Sequence, residues 1–400
     1  MNPPTTHFDL LIDGAHVIDV ATGVDRIADI GVRAGRIAAV GDLGAADAPE
    51  RVDGAGLYAS AGWIDLHVHC FVGHHELALD IDAHGGVHHG VTTVVDTGSF
   101  TSSEIDAFRT IAARARTRVL GFVNVSAHPG RPVHGDWQQF DQRLTIETVR
   151  RHRDLVVGVK VLASQNHVGN LGRIPLDLAV QAARESETRL MAHIGMAPPV
   201  IQQVLDALEA GDIVTHCFKG YPRGIMNRHG RPVPEAWSAL ERGVWFDTGH
   251  GQDSYTFAAH RQAIAAGFPV HSLSTDLHLG NVAGPVYSLA HTMTKGLHLG
   301  ASLLEVVGHV TLAPATMLGR EAEFGTLAPG SCADVTLFRV VDEPITVTDS
   351  EGNAEVAERH VEVALTLRAG AMIPRAAAVS PPSVPGAPGS SGPGGGALPR

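Results

Sequence analysis

The chain has 400 residues, of which 44% are hydrophobic and 18% are charged, which is typical of a globular protein with a large core. Its formal net charge of −12 argues against electrostatic binding to nucleic acid or to an anionic membrane surface. Three cysteines are too few for a disulfide framework, and no signal peptide or membrane-spanning run is visible, so we expect a cytoplasmic protein.

The two ends of the chain carry the pattern of a small antiparallel β-domain. In residues 1–58, short apolar or alternating runs are separated by turn signals such as Asp13-Gly14 and Gly41-Asp42. Similar runs return at 333–338 and 361–367, so we predict a β-sandwich built from residues 1–58 and 323–372. Residues 373–400 are rich in proline, glycine and serine, which predicts a disordered tail.

The middle of the chain, residues 59–322, alternates apolar strand-like runs with helix-like segments about eight times. Residues 176–187 and 199–210, for example, carry apolar side chains at helical spacing. Eight repeats over about 260 residues predict an α/β fold, a (β/α)8 TIM-like barrel, with a doubly wound sheet as the alternative.

Polar residues follow successive strand-like runs, and barrel enzymes carry their chemistry at the carboxyl ends of the strands. Histidine is frequent, with 24 residues, and it is a common metal ligand. His67 and His69 face the same side of a strand and can hold one metal ion together. Lys160 lies in an apolar strand, where its charge is costly unless it is paired or modified. Later strand ends carry the other members of the set: His193, His216 and Asp276.

Each of these residues alone has an ordinary structural explanation. A single histidine at a strand end is more often hydrogen-bonded or exposed than a ligand, and a lone lysine is more often partly exposed at an edge. The ordered set over five strand ends is what predicts a metal centre. Other histidines on nearby loops stay candidates for the pocket wall: His74, His75, His128, His134, His167 and His278.

Several local strings resemble the amidohydrolase superfamily, and within it the amidohydrolase/deacetylase metallohydrolases that are similar to dihydroorotases. The resemblance covers about residues 8–370 and implies a TIM-like barrel with a β-sandwich built from both chain ends. The strings are GWIDLHVHCF at 62–71, AHIG at 192–195, GDIVTHCF at 211–218, FDTGHG at 246–251, STDLH at 274–278 and GPVY at 284–287.

The resemblance implies two divalent metal ions, usually zinc, bridged by a carboxylated Lys160 and a hydroxide. It also implies Asp276 as general base and acid, and His250 as a neighbour of the substrate. The metal ligands would divide between the two ions, the first bound by His67, His69 and Asp276, and the second by His193 and His216.

Two positions depart from the pattern of the relatives. Dihydroorotases commonly carry arginine two residues after the His-x-His pair, to bind the substrate carboxylate, and Phe71 stands there. Lys219 occupies a position where a neutral asparagine is usual. Lys219, Tyr221 and Arg223 are candidates to bind a substrate carboxylate, and a solvated basic loop is the alternative explanation.

The sequence therefore favours a binuclear metal-dependent hydrolase that cleaves an amide or ester bond of a small molecule, such as an N-acyl amino acid or an acetylated hydroxy acid. A cyclic-amide hydrolase of the dihydroorotase or hydantoinase type is the alternative, and Phe71 counts against it. A non-catalytic structural relative is a third possibility, although such proteins are expected to lose metal ligands. We expect no nucleic-acid or membrane partner, and a homo-oligomer is consistent with the family.

Overall fold

The computed structural model describes residues 7–126 and 139–375. The N-terminal part consists of strands joined by tight reversals. Ala34 and Gly35 both have positive φ angles, of 50° and 70°, as a two-residue hairpin turn requires. The five strands are β1 (Leu10–Asp19), β2 (Val24–Arg33), β3 (Arg36–Gly41), β4 (Glu50–Asp53) and β5 (Tyr58–Ala61).

A sheet of seven parallel strands follows, and its strands pair strictly in chain order. A doubly wound sheet would reverse its strand order at a switch point, so that alternative is wrong. The strands are β6 (Trp63–Val68), β7 (Val91–Thr101), β8 (Arg118–Asn124), β9 (Val156–Ala163), β10 (Arg189–Ile194), β11 (Ile213–Thr215) and β12 (Trp245–Asp247).

The segment 272–277 closes the barrel in place of a regular eighth strand. It makes single parallel bridges on both sides, from Ser272 to Asp247, the last residue of β12, and from Leu277 to Val68, the last residue of β6. Its Ser272 and Leu277 carbonyls accept backbone bonds from Thr248 and His69. At Thr275 a side chain replaces such a bond, because Thr275 N donates to Asp65 Oδ1 at 3.0 Å. The predicted eightfold repeat is therefore seven strands and one irregular segment.

Helices connect the strands and cover the barrel. Two of them begin at clear sequence signals, since Ser302 and Glu305 form a capping box and Thr256 accepts from the Ala259 amide. Among the described residues, no helix combines the length and hydrophobicity that crossing a bilayer requires. The helices are α1 (Ile81–His84), α2 (Ile105–Arg114), α3 (Gln142–Arg151), α4 (Gln165–Val168), α5 (Ile174–Glu185), α6 (Ile201–Ala207), α7 (Pro234–Glu241), α8 (Phe257–Ala265), α9 (Leu289–His298), α10 (Leu303–Val310) and α11 (Leu312–Leu318).

Strands from both chain ends meet in one eight-stranded sheet, ordered β17-β16-β13-β5-β1-β2-β3, with β4 paired to β1. The sheet is mixed, whereas the sequence predicted an antiparallel one. Strands β4 and β5 run parallel to β1, because β2 and β3 supply the crossover that a parallel return needs. The C-terminal strands are β13 (Val335–Val341), β14 (Ile345–Thr348), β15 (Ala354–Ala357), β16 (His360–Arg368) and β17 (Ala371–Ile373).

Strands β14 and β15 stand apart from this sheet as a two-stranded hairpin. The predicted tail begins at residue 373, which is the last residue of β17, and residues 376–400 lie outside the described part of the chain.

Candidate active site

The six predicted metal ligands lie along the rim formed by the carboxyl ends of the barrel strands. The local pattern explains this for five of them, which follow or lie near the end of an apolar run, whereas Lys160 lies inside the buried strand β9. In chain order they are His67 in β6, His69 just after it, Lys160 in β9, His193 in β10, His216 just after β11 and Asp276 in the closing segment.

Three of these ligands already converge. Asp276 Oδ1 lies 3.1 Å from His69 Nε2 and 3.4 Å from His67 Nε2. Ligand atoms of the three side chains all lie within 4.8 Å of one another. Asp276 Oδ1 is buried and has no hydrogen-bond partner of good geometry among the described residues. Three donor atoms that face one point without bonding each other are the arrangement a metal ion requires.

A threonine fixes the orientation of His67. Thr215 Oγ1 donates to Asp247 Oδ2 at 2.7 Å, so its single proton is used and it must accept from His67 Nδ1 at 3.0 Å. The proton of the His67 ring therefore sits on Nδ1, and the lone pair of Nε2 faces Asp276. Second partners that hold a ligating imidazole in this way are usual at metal sites.

Two further ligands are oriented in a similar manner. His216 Nδ1 lies 2.7 Å from the carbonyl of Gly249, which can only accept, so the ring proton is on Nδ1 and Nε2 is free to ligate. His69 Nδ1 lies 2.7 Å from Ser99 Oγ. The His193 ring is half-buried with its centroid 4.5 Å from that of His216, which places these two imidazoles side by side.

The surroundings favour neutral imidazole at His67, His193 and His216 and an ionised carboxylate at Asp276. Burial lowers the pKa of His67 and His193 well below the usual value, and the charges of Lys160 and Lys219 respectively lower it further. Burial and the charge of Lys219 also lower the pKa of His216, to about 3. Burial acts to raise the pKa of Asp276, but the facing histidines outweigh it and hold the pKa well below its usual range. Neutral imidazole and ionised carboxylate are the ligating forms.

Lys160 is fully buried, and the one hydrogen bond of its Nζ among the described residues is to the thioether of Met191 at 3.6 Å. Burial lowers the pKa of Lys160 to about 8. Gly98 in β7 leaves room for this side chain, because a Cβ there would lie 2.7 Å from Lys160 Cγ. Within the described part of the chain no carboxylate lies within 4.0 Å of this buried amine, which is in keeping with the sequence hypothesis of a modified lysine.

The four predicted substrate contacts differ widely in their surroundings. Tyr221 is 62% exposed. Arg223 is paired with Glu351 at 3.2 Å and with Asp253 at 3.7 Å. Lys219 is buried and close enough to the centre to act on its histidines. Of the three predicted contacts on this loop, Lys219 is the one that combines burial with nearness to the predicted ligands.

His250, the fourth predicted contact, has partners for both ring nitrogens within the protein. Its Nδ1 lies 3.0 Å from the Gly251 carbonyl, and its Nε2 lies 2.7 Å from Lys295 Nζ. Lys295 is buried in α9 and also donates to the carbonyls of Pro285 and Thr348, each at 2.8 Å. In this arrangement His250 is oriented by Lys295 and has no ring nitrogen free for a substrate.

Sequence reasoning did not assign the supporting residues beneath the ligands. Asp247 accepts from Thr215, from Ser272 Oγ at 2.5 Å and from Ser274 Oγ at 2.7 Å. Asp65 accepts from the Thr275 hydroxyl at 2.5 Å, and burial raises the pKa of Asp65 to about 7. A carboxylate within or at the end of an apolar strand was the available signal, because burial requires that it be hydrogen-bonded.

Several unassigned histidines surround the site. The His75 ring stacks on His69 at a centroid distance of 5.5 Å, and that of His278 lies 6.2 Å from His69. His167 lies 5.5 Å from His193, whereas His74 stacks on the buried ring of Phe71 at 4.3 Å. The other two candidates for the pocket wall, His128 and His134, fall outside the described residues.

Comparison with known proteins gives consistent matches over nearly the whole chain. A family model described as the amidohydrolase family matches residues 58–372. A protein of Enterococcus faecalis named as a deacetylase is 37% identical over 371 residues, which cover 91% of this chain and 98% of the relative.

Solved structures match as closely. One titled as an adenine deaminase is 36% identical, with a TM-score of 0.86 over 92% of this chain and 100% of its own. Another titled as a dihydroorotase is 31% identical, with a TM-score of 0.84 over 92% of this chain and 98% of its own.

Proposed function

This chain belongs to the amidohydrolase family, and from that premise we propose that it is a metal-dependent hydrolase that deacylates a small molecule. The substrate is an N-acyl amino acid or an acetylated hydroxy acid, and the bond that breaks is an amide or an ester. The similarity to a protein named as a deacetylase over almost its full length supports this choice.

The convergence of His67 Nε2, His69 Nε2 and Asp276 Oδ1 is the observation that carries the proposal. The donor set fits a metal ion, because imidazole nitrogens and carboxylate oxygens are ligands that zinc prefers. The second pair of imidazoles, His193 and His216, would hold a second ion. Bound divalent metal supplies Lewis acidity, which makes water nucleophilic near neutral pH and polarises a carbonyl group.

Lys160 would join the two halves of this centre as a carbamate. Its neutral amine attacks carbon dioxide, an N–C bond forms and the nitrogen loses a proton, which leaves an anion with two oxygen donors. The buried position and the pKa of about 8 support this, because a neutral amine is accessible near physiological pH. Native mass spectrometry of zinc-loaded protein tests the proposal, and an active, fully metallated protein with unmodified Lys160 would contradict it.

Asp276 would carry the proton during hydrolysis. Its Oδ1 lies between the two imidazoles of His67 and His69, at the point where the ligands converge. From there an ionised carboxylate can accept the proton of the attacking water and deliver it to the leaving nitrogen or oxygen. The other residues hold this geometry, since Thr215 and Gly249 fix the rings of His67 and His216.

A substrate panel with zinc-loaded enzyme tests the function. We expect acetate release from N-acetyl amino acids or acetylated hydroxy acids. Asp276→Asn should lower kcat by roughly 100-fold or more while the protein stays folded. Asp206→Asn, at an exposed acid of α6, is the control and should keep full activity. Full activity in Asp276→Asn would exclude the proton-transfer role.

A cyclic-amide hydrolase is the second candidate, because a structure titled as a dihydroorotase is 31% identical. Phe71 argues against it, since its ring is buried and packs against Phe108 at 5.8 Å and leaves no guanidinium at that position. Cyclic amides belong in the panel for this reason, and adenine belongs there because of the similarity to a structure titled as an adenine deaminase. Ring opening or ammonia release without acetate release would replace the deacylase proposal.

The remaining sequence expectations also stay proposals. We propose that the mixed sheet of both chain ends forms a small β-sandwich, in units of residues 1–58 and 323–372 around a barrel of 59–322. A separate hydrophobic cluster supports this, because it joins Ile12 and Val17 of β1 with Val335 of β13. A cytoplasmic location and a homo-oligomer remain expectations, and three free cysteines are in keeping with the first.

A further inference from the structure

Lysine is almost absent from this chain. Of its 30 lysine and arginine residues, only three are lysines, and all three are buried, with exposed fractions of 1%, 3% and 1% for Lys160, Lys219 and Lys295. The exposed basic side chains of the described residues are therefore arginines or histidines. Lysine is present only where a compact ammonium or a reactive amine differs in its chemistry from a guanidinium.

The structure offers an explanation for the burial of two of the three lysines. Lys295 gives its protons to His250 and to two backbone carbonyls, so its hydrogen-bonding needs are met inside the protein. Lys160 is the candidate for carboxylation. Lys219 has neither explanation, since its Nζ has no hydrogen bond and no carboxylate within 4.0 Å among residues 7–126 and 139–375.

Asp253 is the acid whose charge acts most strongly on Lys219, but its carboxylate lies more than 4.0 Å from the ammonium and is 3.7 Å from Arg223. Asp276, the next acid, faces the histidines of the centre. A buried ammonium without a partner costs stability, so its retention points to a ligand that supplies the missing anion. The backbone places it beside the centre, because Lys219 N donates to the His216 carbonyl at 3.4 Å.

A second unpartnered donor lies on the same side of the site. Asn166 Oδ1 accepts from Ser164 Oγ at 2.7 Å, so its amide nitrogen donates to His167 Nε2 at 3.1 Å. The proton of the His167 ring is then on Nδ1. That Nδ1 atom is buried and has no partner among the described residues, and the His167 ring lies 5.5 Å from that of His193.

Both donors face the His193 side of the centre. After burial, the charge of Lys219 is the largest effect that lowers the pKa of His167 and also that of His193. Lys219 follows β11 and His167 lies in α4, which follows β9. The His193 strand, β10, lies between β9 and β11 in the sheet, so the two donors come from either side of His193.

We propose that Lys219 binds a carboxylate of the substrate and that the Nδ1–H group of His167 is a second donor to the same group. This inference rests on the proposed deacylase function and assigns the residues that bind the carboxylate of its substrate. The closeness of both donors to His193 and His216 requires a carboxylate only a few bonds from the scissile bond. Amino acids and hydroxy acids acylated at the α position share that chemistry.

Matched substrates test the inference. The test compares an N-acetyl amino acid and an O-acetyl hydroxy acid with the analogues in which the carboxylate is replaced by a carboxamide. Acetate release by zinc-loaded enzyme is the readout. Loss of one hydrogen-bonded charge partner should cost the carboxamides roughly 100-fold in kcat/KM. The two carboxylate substrates distinguish an amide from an ester as the natural bond.

Lys219→Met should remove this preference. We expect kcat/KM to fall roughly 100-fold for the carboxylates and less than about threefold for the carboxamides, since only the former lose an ion pair. His167→Phe should reduce the preference in the same direction, and His167→Asn should retain part of it, because an asparagine amide can replace the Nδ1 donor. Equal losses on both kinds of substrate would overturn the proposal.

Thermal stability gives a readout that is independent of turnover. Lys219→Met removes a buried charge without a partner and should raise the melting temperature of the free enzyme by roughly 2 °C or more. Lys295→Met is the matched control and should lower it, because three buried acceptors lose their donor. A lower melting temperature in Lys219→Met would show that Lys219 is structural and would overturn the proposal.

The outcomes separate this inference from the proposed function. If wild-type enzyme releases acetate from neither kind of substrate, the deacylase function fails. If it releases acetate from carboxylates and carboxamides equally well, the function stands and the carboxylate site is wrong. Titration calorimetry with the free amino or hydroxy acid adds a direct test, since Lys219→Met should weaken binding by roughly 100-fold.

Discussion

The Thr215 hydroxyl links two buried groups that the site depends on. It accepts from His67 Nδ1 at 3.0 Å and donates to Asp247 Oδ2 at 2.7 Å. This bridge fixes both the tautomer and the ring angle of His67. Thr215 of β11 lies opposite Asp247 of β12 in the sheet, so the register of these two strands brings the pair together.

Replacing this hydroxyl should weaken metal binding. Thr215→Val keeps the shape but leaves His67 Nδ1 and one Asp247 oxygen without their partner, and we expect zinc affinity to fall by roughly 10–100-fold. Zinc retained in competition with a chromophoric chelator measures the change. Thr215→Ser keeps the hydroxyl and should bind zinc nearly as wild type. Unchanged affinity in Thr215→Val would show that the hydroxyl does not orient the ligand.

Strand β7 is shaped to admit Lys160 from β9. Gly98 has a φ of +91°, and its carbonyl accepts from the Asn124 amide of β8 at 3.1 Å. A Cβ at this position would lie 2.7 Å from Lys160 Cγ and 3.0 Å from Lys160 Cβ. The glycine is therefore required both by its backbone angle and by the close approach of the lysine.

Gly98→Ala should disturb both stability and the centre. Gly300→Ala is the matched control, because Gly300 has a similar φ of +99° and no heavy atom within 4 Å of its would-be Cβ. Both variants carry the cost of a positive φ, and overpacking should make Gly98→Ala less stable than the control by roughly 1–3 kcal/mol. Urea unfolding measures the difference. Equal stabilities would mean that β7 and Lys160 move apart freely.

Buried neutral histidines make the stability of the whole molecule depend on pH. Burial, reinforced by the nearby His309, lowers the pKa of His260 to about 3 and that of His271 to about 4. His260 Nδ1 bonds Tyr255 at 2.8 Å, and His271 Nδ1 accepts from the Phe246 amide at 2.9 Å. Both rings stay neutral when folded, whereas the unfolded chain takes up protons below about pH 6.5.

Stability of the metal-free protein should therefore fall on acidification. The contribution of these histidines is complete above about pH 6.5 and is lost as the pH falls toward 4. Asp65, with a pKa raised to about 7, has the opposite sign: its contribution is lost as the pH rises through 7, so it offsets one histidine. Urea unfolding at pH 7 and pH 5 should show a net loss, and no loss would contradict these environments.

A single variant isolates one histidine. His271→Asn keeps an acceptor for the Phe246 amide but cannot titrate, so it should reduce the pH slope by at most about 1.4 kcal/mol per pH unit. His229→Asn, on an exposed loop, is the control and should leave the slope as it is. A slope that His271→Asn does not change would show that this ring is not buried as neutral imidazole.

Zinc should stabilise the whole barrel, because its ligands come from strands and loops all around the rim. A ligand that binds only the folded state adds about 2.7 kcal/mol at 100 times its Kd. We expect the melting temperature to rise with zinc and to fall again on chelation. Magnesium is the control, since it prefers oxygen ligands and should add little. Equal stabilisation by both ions would argue against a site of histidine nitrogens.

The sequence by itself determined the class of chemistry and the barrel fold that positions the site residues. The apolar runs form strands because their side chains are buried in the barrel. A polar residue at the carboxyl end of such a strand then lies at the rim that all the strands share. His67, His216 and Asp276 could be placed in this way from spacing alone. The same local logic brought strands from both chain ends into one domain, although it did not predict their mixed directions.

Only the tertiary structure decided which side chains are free to act. His250 is held by Lys295, 45 residues away, and His67 by Thr215, 148 residues away. In the segment that closes the barrel, the Thr275 hydroxyl donates to Asp65, which lies 210 residues earlier in the chain. The local sequence pattern indicates which residues are buried and which face of a strand they occupy. Whether a buried polar group has a hydrogen-bond partner depends on residues from distant strands. Lys219 became distinctive for that reason, since only the folded chain shows that it has none among the described residues.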